Sequence, residues 1–117
     1  MAKQRYKGGC QCGAVSYMVN VDLDQTFTCN CSRCQRIGAV LAFAPADDFE
    51  FINDGPVTEY LFHKMIIHHR FCPTCGIESY AWGDGPDGFK MVAINANCLE
   101  GVDPRQLKSQ HIDGASA

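Results

Sequence analysis

At 117 residues, 46% hydrophobic and 20% charged, the chain has the size and balance of one soluble globular domain, residues 1–117, built around a single core. A net charge of −3, with ten scattered Lys and Arg, excludes the basic face or stripe by which nucleic-acid binders are recognised. The first fifteen residues lack the apolar stretch of a secretory signal, and no apolar run approaches the roughly 18 residues that cross a bilayer. The expectation is therefore a cytoplasmic protein with neither a nucleic-acid nor a membrane partner; no feature specifies an oligomer interface.

Short apolar or alternating runs recur between Gly, Pro, Asn and Asp, and in chain order the pattern predicts strands over 14–19, 26–29, 40–43, 49–52, 58–62, 66–71, 79–82 and 90–94. In the first of these, Val15, Tyr17 and Val19 alternate with Ser16 and Met18, as on a strand with one buried face. Two short helical turns are predicted. Ser32 is placed to cap one running through 33–37, and Asp103 followed by Pro104 opens another through Leu107. With no sustained 3.6-residue period, the fold class is mainly β.

The eight cysteines carry the chemistry. Seven fall into Cys10-x-Cys12, Cys29-x-Cys31-x-x-Cys34 and Cys72-x-x-Cys75, a metal-ligand spacing, since close thiolates on a tight turn can be presented together to one tetrahedral ion. Four disulfides are the alternative. The absence of an export signal and the strained rings that neighbouring pairs would form favour reduced thiolates. A closed structural zinc uses four thiolates, leaving three, the ligand number of a zinc that keeps one position open.

In Phe71-Cys72-Pro73-Thr74-Cys75-Gly76, Pro73 fixes the turn and Gly76 is free to take a positive φ, so the segment reads as a zinc knuckle. Cys10 and Cys12, flanked by Gly8, Gly9 and Gly13, are its natural partners. Cys29, Cys31 and Cys34 would then wrap a second ion. A rival partition joins Cys31 and Cys34 to Cys72 and Cys75, leaving Cys10, Cys12, Cys29 and Cys98 for a second closed site. The 37 residues between Cys34 and Cys72 exceed the roughly 15–20 of a compact ribbon, which weighs against that partition without removing it.

The run 8–17, GGCQCGAVSY, then CNCSRC at 29–34 with Gly38 and Ala39, then HRFCPTCG at 69–76, closely resembles the glutathione-dependent formaldehyde-activating enzyme family. Residues 95–103, NANCLEGVD, and 111–114, HIDG, are similar to it as well. The resemblance spans almost the whole chain. It implies a zinc-stabilised Mss4-like domain of stacked antiparallel sheets, with Cys10, Cys12, Cys72 and Cys75 binding a structural Zn2+. It implies that Cys29, Cys31 and Cys34 bind a second, more labile zinc, and it sets the ribbon partition aside. The implied activity is that of a carbon–sulfur lyase joining a small-molecule thiol, glutathione or a similar one, to formaldehyde or a related small aldehyde. Cys29, Cys31 and Cys34 would be catalytic through their metal. Three thiolates leave a Zn2+ site with a net formal charge of −1, which favours exchange of a soft ligand and so delivery of the thiol. Gln35 stands where relatives often carry Arg or Lys; Arg33 and Arg36 are the nearby cations for a glutathione carboxylate.

His68 and His69 precede the knuckle on a predicted strand, so one faces each side. Each has a plain reading as a core or edge histidine, beside proton transfer at the site. Glu78 reads as a solvated strand charge or as a base near the metal. Cys98 reads as a small buried apolar residue, with fourth ligand or redox partner of the trio as alternatives. Trp82, Tyr80, Phe43 and Phe62 are expected to fill the core. Beside the enzyme stand two other classes, a zinc-stabilised protein-binding module and a thiol redox or zinc sensor. A Cys98 thiolate that completed the trio would close the site and favour the module.

Overall fold

The computed structural model describes residues 3–85 and 88–116. Two sheets lie face to face. The smaller has the order β1 (Gln4–Gly9), β2 (Val15–Val21), β5 (Phe49–Asp54) and is antiparallel, with Gln4 opposite Val21 and Val19 opposite Phe49. The larger runs β10 (Ser109–Ile112), β3 (Thr26–Cys29), β4 (Leu41–Pro45), β9 (Lys90–Asn95), β8 (Tyr80–Asp84), β7 (His68–Phe71), β6 (Thr58–Tyr60). It is antiparallel except where β10 joins β3 in parallel. The mainly β class and stacked sheets expected from sequence are what the protein adopts.

The interface between the sheets follows from side-chain alternation. Val15, Tyr17, Val19 and Val21 point inward from β2 and are at most 1% exposed, while the residues between them are half-buried. They meet Ala42 and Ala44 of β4, Tyr80 of β8, and Val92 and Ile94 of β9. The alanines let the sheets approach, and Tyr17 fills the space, its hydroxyl donating to the carbonyl of Ser79 at 2.9 Å. Phe49 packs on Tyr17, Tyr80 and Trp82 with ring centroids 4.8–5.6 Å apart. Each fully buried Val or Ile here contributes roughly 1.5–3 kcal/mol.

The same period of two turns alternate residues of the large sheet outward. Leu41 and Phe43 of β4, Met91 and Ala93 of β9, Ala81 of β8 and His69 of β7 share the face away from the core, as the pairings of Phe43 and Ala81 with Ala93 and of His69 with Ala81 require. This corrects two expectations. Tyr80 and Trp82 do pack with the core, but Phe43 is 43% exposed, and Phe62 stacks on Tyr60 and lies tilted against His69 beyond it.

One α-helix, α1 (Ser32–Ile37), follows β3. Its cap is Cys31 rather than Ser32: the Cys31 sulfur accepts the N–H of Cys34 at 3.3 Å, and Gly38 ends the helix in the left-handed region. Asp103 caps the 3-10 turn Pro104–Gln106 as expected. No helix among the described residues is long and apolar enough to cross a membrane.

Candidate metal centres and the cleft beside them

The cysteines gather as the favoured partition has them. Cys10 and Cys12 sit in the turn joining β1 to β2, and Cys72 and Cys75 in the turn joining β7 to β8; their four sulfurs lie within 4.8 Å of one another. A tetrahedral ion with metal–sulfur bonds of about 2.3 Å sets its sulfurs about 3.8 Å apart. The Cys10–Cys12 and Cys12–Cys72 separations, 3.7 and 3.6 Å, match that spacing. Backbone geometry supplies the rest. Val15 N–H donates to the Cys10 sulfur at 3.3 Å, Gly76 N–H returns to the Cys72 carbonyl at 2.7 Å, and Gly76 has the positive φ, 77°, expected of it. The cluster ties a turn of the small sheet to a turn of the large one.

Cys29, Cys31 and Cys34 form the second cluster, again with all sulfurs within 4.8 Å. Cys29 ends β3, Cys31 caps α1 and Cys34 lies in the helix's first turn. Cys31 N–H donates to the Cys29 sulfur at 3.4 Å. The C-terminal segment closes one side: Asn30 donates to the Asp113 carboxylate and accepts from Ala115 N–H, both at 2.9 Å. Gly114 then lies so near that an added Cβ would stand 2.5 Å from the Cys29 sulfur. Cys98 belongs to neither cluster, so among the described residues the trio offers three ligands. Burial pushes the Cys98 thiol up to about 11, and Cys10 and Cys75 push it the same way.

Neither cluster ionises fully by itself. Burial opposes ionisation of Cys75, yet N–H groups of Cys12 and Ile77 override it and bring the thiol down to about 6. Cys72 is lowered chiefly by the N–H of Cys75. Cys12, although the N–H of Ala14 favours its thiolate, is pushed up to about 11 by the hydrogen bond with Cys72 and by burial. In the trio, Cys31 is lowered, burial being outweighed by the N–H of Cys34, whereas Cys34 is raised by burial and by Cys31. A divalent cation removes this conflict, because thiolates repelling one another would all be paired with it. Donor set and spacing thus fit metal ions and are compatible with zinc.

The trio opens on a cleft of about 450 Å3 on the outer face of the large sheet. Small residues Ala81, Gly83 and Ala93 lie along it, and larger apolar side chains from α1, β4 and the segment between β6 and β7 surround them. Glu78 also lines it and is not a solvated strand charge: its side chain is 11% exposed, and it precedes β8. One carboxylate oxygen accepts Arg33 Nε at 2.9 Å, and the other meets His69 Nδ1 at 3.0 Å. Arg33 is further held over the Tyr60 ring at 4.9 Å. His69, 8% exposed, lines the cleft with Nδ1 engaged. His68 faces away and pairs with Glu59. Sequence reasoning named Arg33, His69 and Glu78 separately but missed that they form one chain beside the trio.

Comparison with known proteins gives two findings. The family described as glutathione-dependent formaldehyde-activating enzyme matches residues 5–112. A crystal structure of a Rhodobacter sphaeroides protein, solved as a structural genomics target, superposes with a TM-score of 0.78 at 33% sequence identity, covering 90% of this chain and 97% of that one.

Proposed function

The chain belongs to the glutathione-dependent formaldehyde-activating enzyme family, and from that premise we propose that it is a zinc-dependent carbon–sulfur lyase-type enzyme of the cytoplasm, one domain over 1–117. It joins a low-molecular-weight thiol, glutathione or a similar one, to formaldehyde or a related small aldehyde. The observation that carries this reading is that three thiols, with no fourth among the described residues, open on the cleft that also holds His69.

In this reading Cys10, Cys12, Cys72 and Cys75 hold a structural zinc, and Cys29, Cys31 and Cys34 hold the zinc of the reaction. When bound there, the metal supplies a position for a soft ligand and raises the thiolate fraction of an incoming thiol, which is small at neutral pH with a free pKa near about 8.5. The balance of the reaction is simple: a C–S bond forms, the carbonyl π bond opens, and the thiol proton ends on the former carbonyl oxygen. No oxidant or reductant is needed. In this reading His69, with Nδ1 held by Glu78, takes that proton through Nε2 and returns it. Glu78 fixes the tautomer by accepting Nδ1–H, and Arg33 fixes Glu78. The apolar walls keep water from competing for the aldehyde.

The test is carbon-13 exchange spectroscopy on labelled formaldehyde mixed with glutathione, read against the rate without protein. Exchange between free aldehyde and the hydroxymethyl thioether should quicken with the zinc-loaded protein and fall to the background rate with Cys31→Ser. Background exchange with the wild-type protein would refute the assignment.

A further inference from the structure

The reading above gives the carbonyl partner as formaldehyde or a related small aldehyde, and the cleft supports a further activity that rests on that reading. We propose that the same site also joins its thiol to larger aldehydes, those whose carbonyl bears an uncharged aromatic or branched-alkyl group, and that this group lies in the cleft beside the trio.

The first ground is room. Formaldehyde needs little more space than a water, which takes about 30 Å3 in the liquid, whereas the cleft measures about 450 Å3, within the roughly 300–1,000 Å3 of ordinary small-molecule sites. Glutathione is compatible with that space without filling its depth: the sulfur projects on a single methylene, and the carboxylates and ammonium stand at the ends of two flexible arms that stay in water at the mouth. The floor beside the sulfurs is then open to the second reactant. Alternation on the large sheet creates that floor, since Ala81, Gly83 and Ala93 present little side chain on the outer face. At Gly83 an added Cβ would stand 2.9 Å from Cδ1 of Ile67, so the apolar wall comes down close over the sheet.

The second ground is chemistry. Ile37 of α1, Phe43 of β4 and Ile67 of the segment before β7 line the cleft and are each 40–43% exposed. Large apolar side chains grouped in this way around a concavity mark a surface that a ligand covers. Glu78 and Asn95, which also line it, are already engaged: Glu78 with Arg33 and His69, and Asn95 by donating to the Glu78 carbonyl at 3.1 Å and accepting Asn97 N–H at 3.2 Å. A hydrocarbon group placed against these walls breaks none of these bonds and is itself removed from water. The step stays balanced as for formaldehyde: the thiol sulfur bonds to the carbonyl carbon, the π pair passes to the oxygen, and the oxygen takes the thiol proton, giving a hemithioacetal with no further reactant. Burial of the hydrocarbon group holds the carbonyl carbon beside the trio, so binding energy from a remote part of the substrate serves the reacting centre.

Exchange spectroscopy on the zinc-loaded protein with glutathione and formaldehyde, acetaldehyde or phenylacetaldehyde, each read against its own rate without protein, tests this. At equal concentrations well below saturation, the acceleration should be at least tenfold greater for phenylacetaldehyde than for acetaldehyde, which lacks the ring. Phe43→Asp should abolish that preference. Phe43 is half-exposed and so replaceable, and Ile37→Asp, on α1, should repeat the loss from an independent position. 2-Phenylethanol, which has the ring but neither sulfur nor carbonyl, gives a readout apart from activity: followed by chemical-shift titration, it should bind Cys31→Ser as tightly as the wild-type protein, and both aspartate variants at least tenfold more weakly. Phenylacetaldehyde accelerated no more than acetaldehyde, or 2-phenylethanol binding indifferent to both aspartate variants, would overturn the proposal. The two claims fail separately: formaldehyde accelerated without any preference for the ring refutes the larger aldehyde alone, whereas no acceleration of any of the three refutes the underlying reading as well.

Discussion

A carboxylate at 11% exposure, held between a guanidinium and an imidazole, has a partner on each of its oxygens. Glu78→Gln keeps the shape and removes the charge, leaving Arg33 without its counter-ion. A loss of about 3 kcal/mol in folding stability, read by denaturant unfolding, is expected, since breaking a largely buried pair costs about 3–5 kcal/mol. His69→Ala should instead leave metal content unchanged and lower the exchange rate by about 100-fold, the lower range for a positioned acid–base group. A histidine that only filled space would lower stability and leave the rate alone. Tyr17→Phe removes one buried hydrogen bond to Ser79 and should cost about 1 kcal/mol. The alternation that buries Tyr17 was legible in the sequence, as was the opposed orientation of His68 and His69. The environment of Glu78 was not, because Arg33 lies 45 residues away and no local pattern joins them.

At the scale of elements, the second cluster depends on how β3, α1 and the C-terminal segment are fastened. Gly114→Ala would drive a methyl against the Cys29 sulfur. The expected outcome is loss of one metal ion per chain in elemental analysis, with the other retained and the fold intact by circular dichroism. The fastening is also pH-dependent. The Asp113 carboxyl is held below the usual carboxylate range by Asn30 and then by Ser116. A depressed folded pKa means that its contribution is present above the unfolded value, about 3.9, and fades as pH falls through the lower folded value. Hydrogen exchange at Ala115, whose N–H donates to Asn30, should therefore stay slow near neutral pH and quicken, relative to its intrinsic rate, only below about pH 4. Neither β1 nor β10 was visible in the sequence. β1 reads QRYKGG, without alternation, and β10 reads SQHI, exposed at every position and held by parallel pairing at the sheet edge. The cap at Cys31 was missed for a related reason: Ser32 is the commoner capping type, and here a thiol already turned toward its cluster takes the N–H.

For the whole molecule, the two clusters differ in what they hold together. The first joins the β1–β2 turn to the β7–β8 turn and so spans both sheets, whereas the second is closed within one short stretch of chain. Metal binding to a site that spans the fold is part of its folding free energy. Cys72→Ser should lower Tm sharply or prevent folding, while Cys31→Ser should melt close to wild type. The three cysteine clusters were legible because a spacing of one or two residues lets neighbouring sulfurs share an ion, whereas spacing left open which clusters join, and the family resemblance favoured the partition that the structure brings together. The cleft was not legible, since it arises from small and large residues on strands far apart in sequence that only the sheet order brings side by side. The most direct test of the account is cadmium-113 resonance of the metal-substituted protein. The account expects two signals, of which one shifts on addition of a thiol ligand and is absent in Cys31→Ser, while the other responds to neither. A single signal, or two that both ignore the thiol, would contradict it.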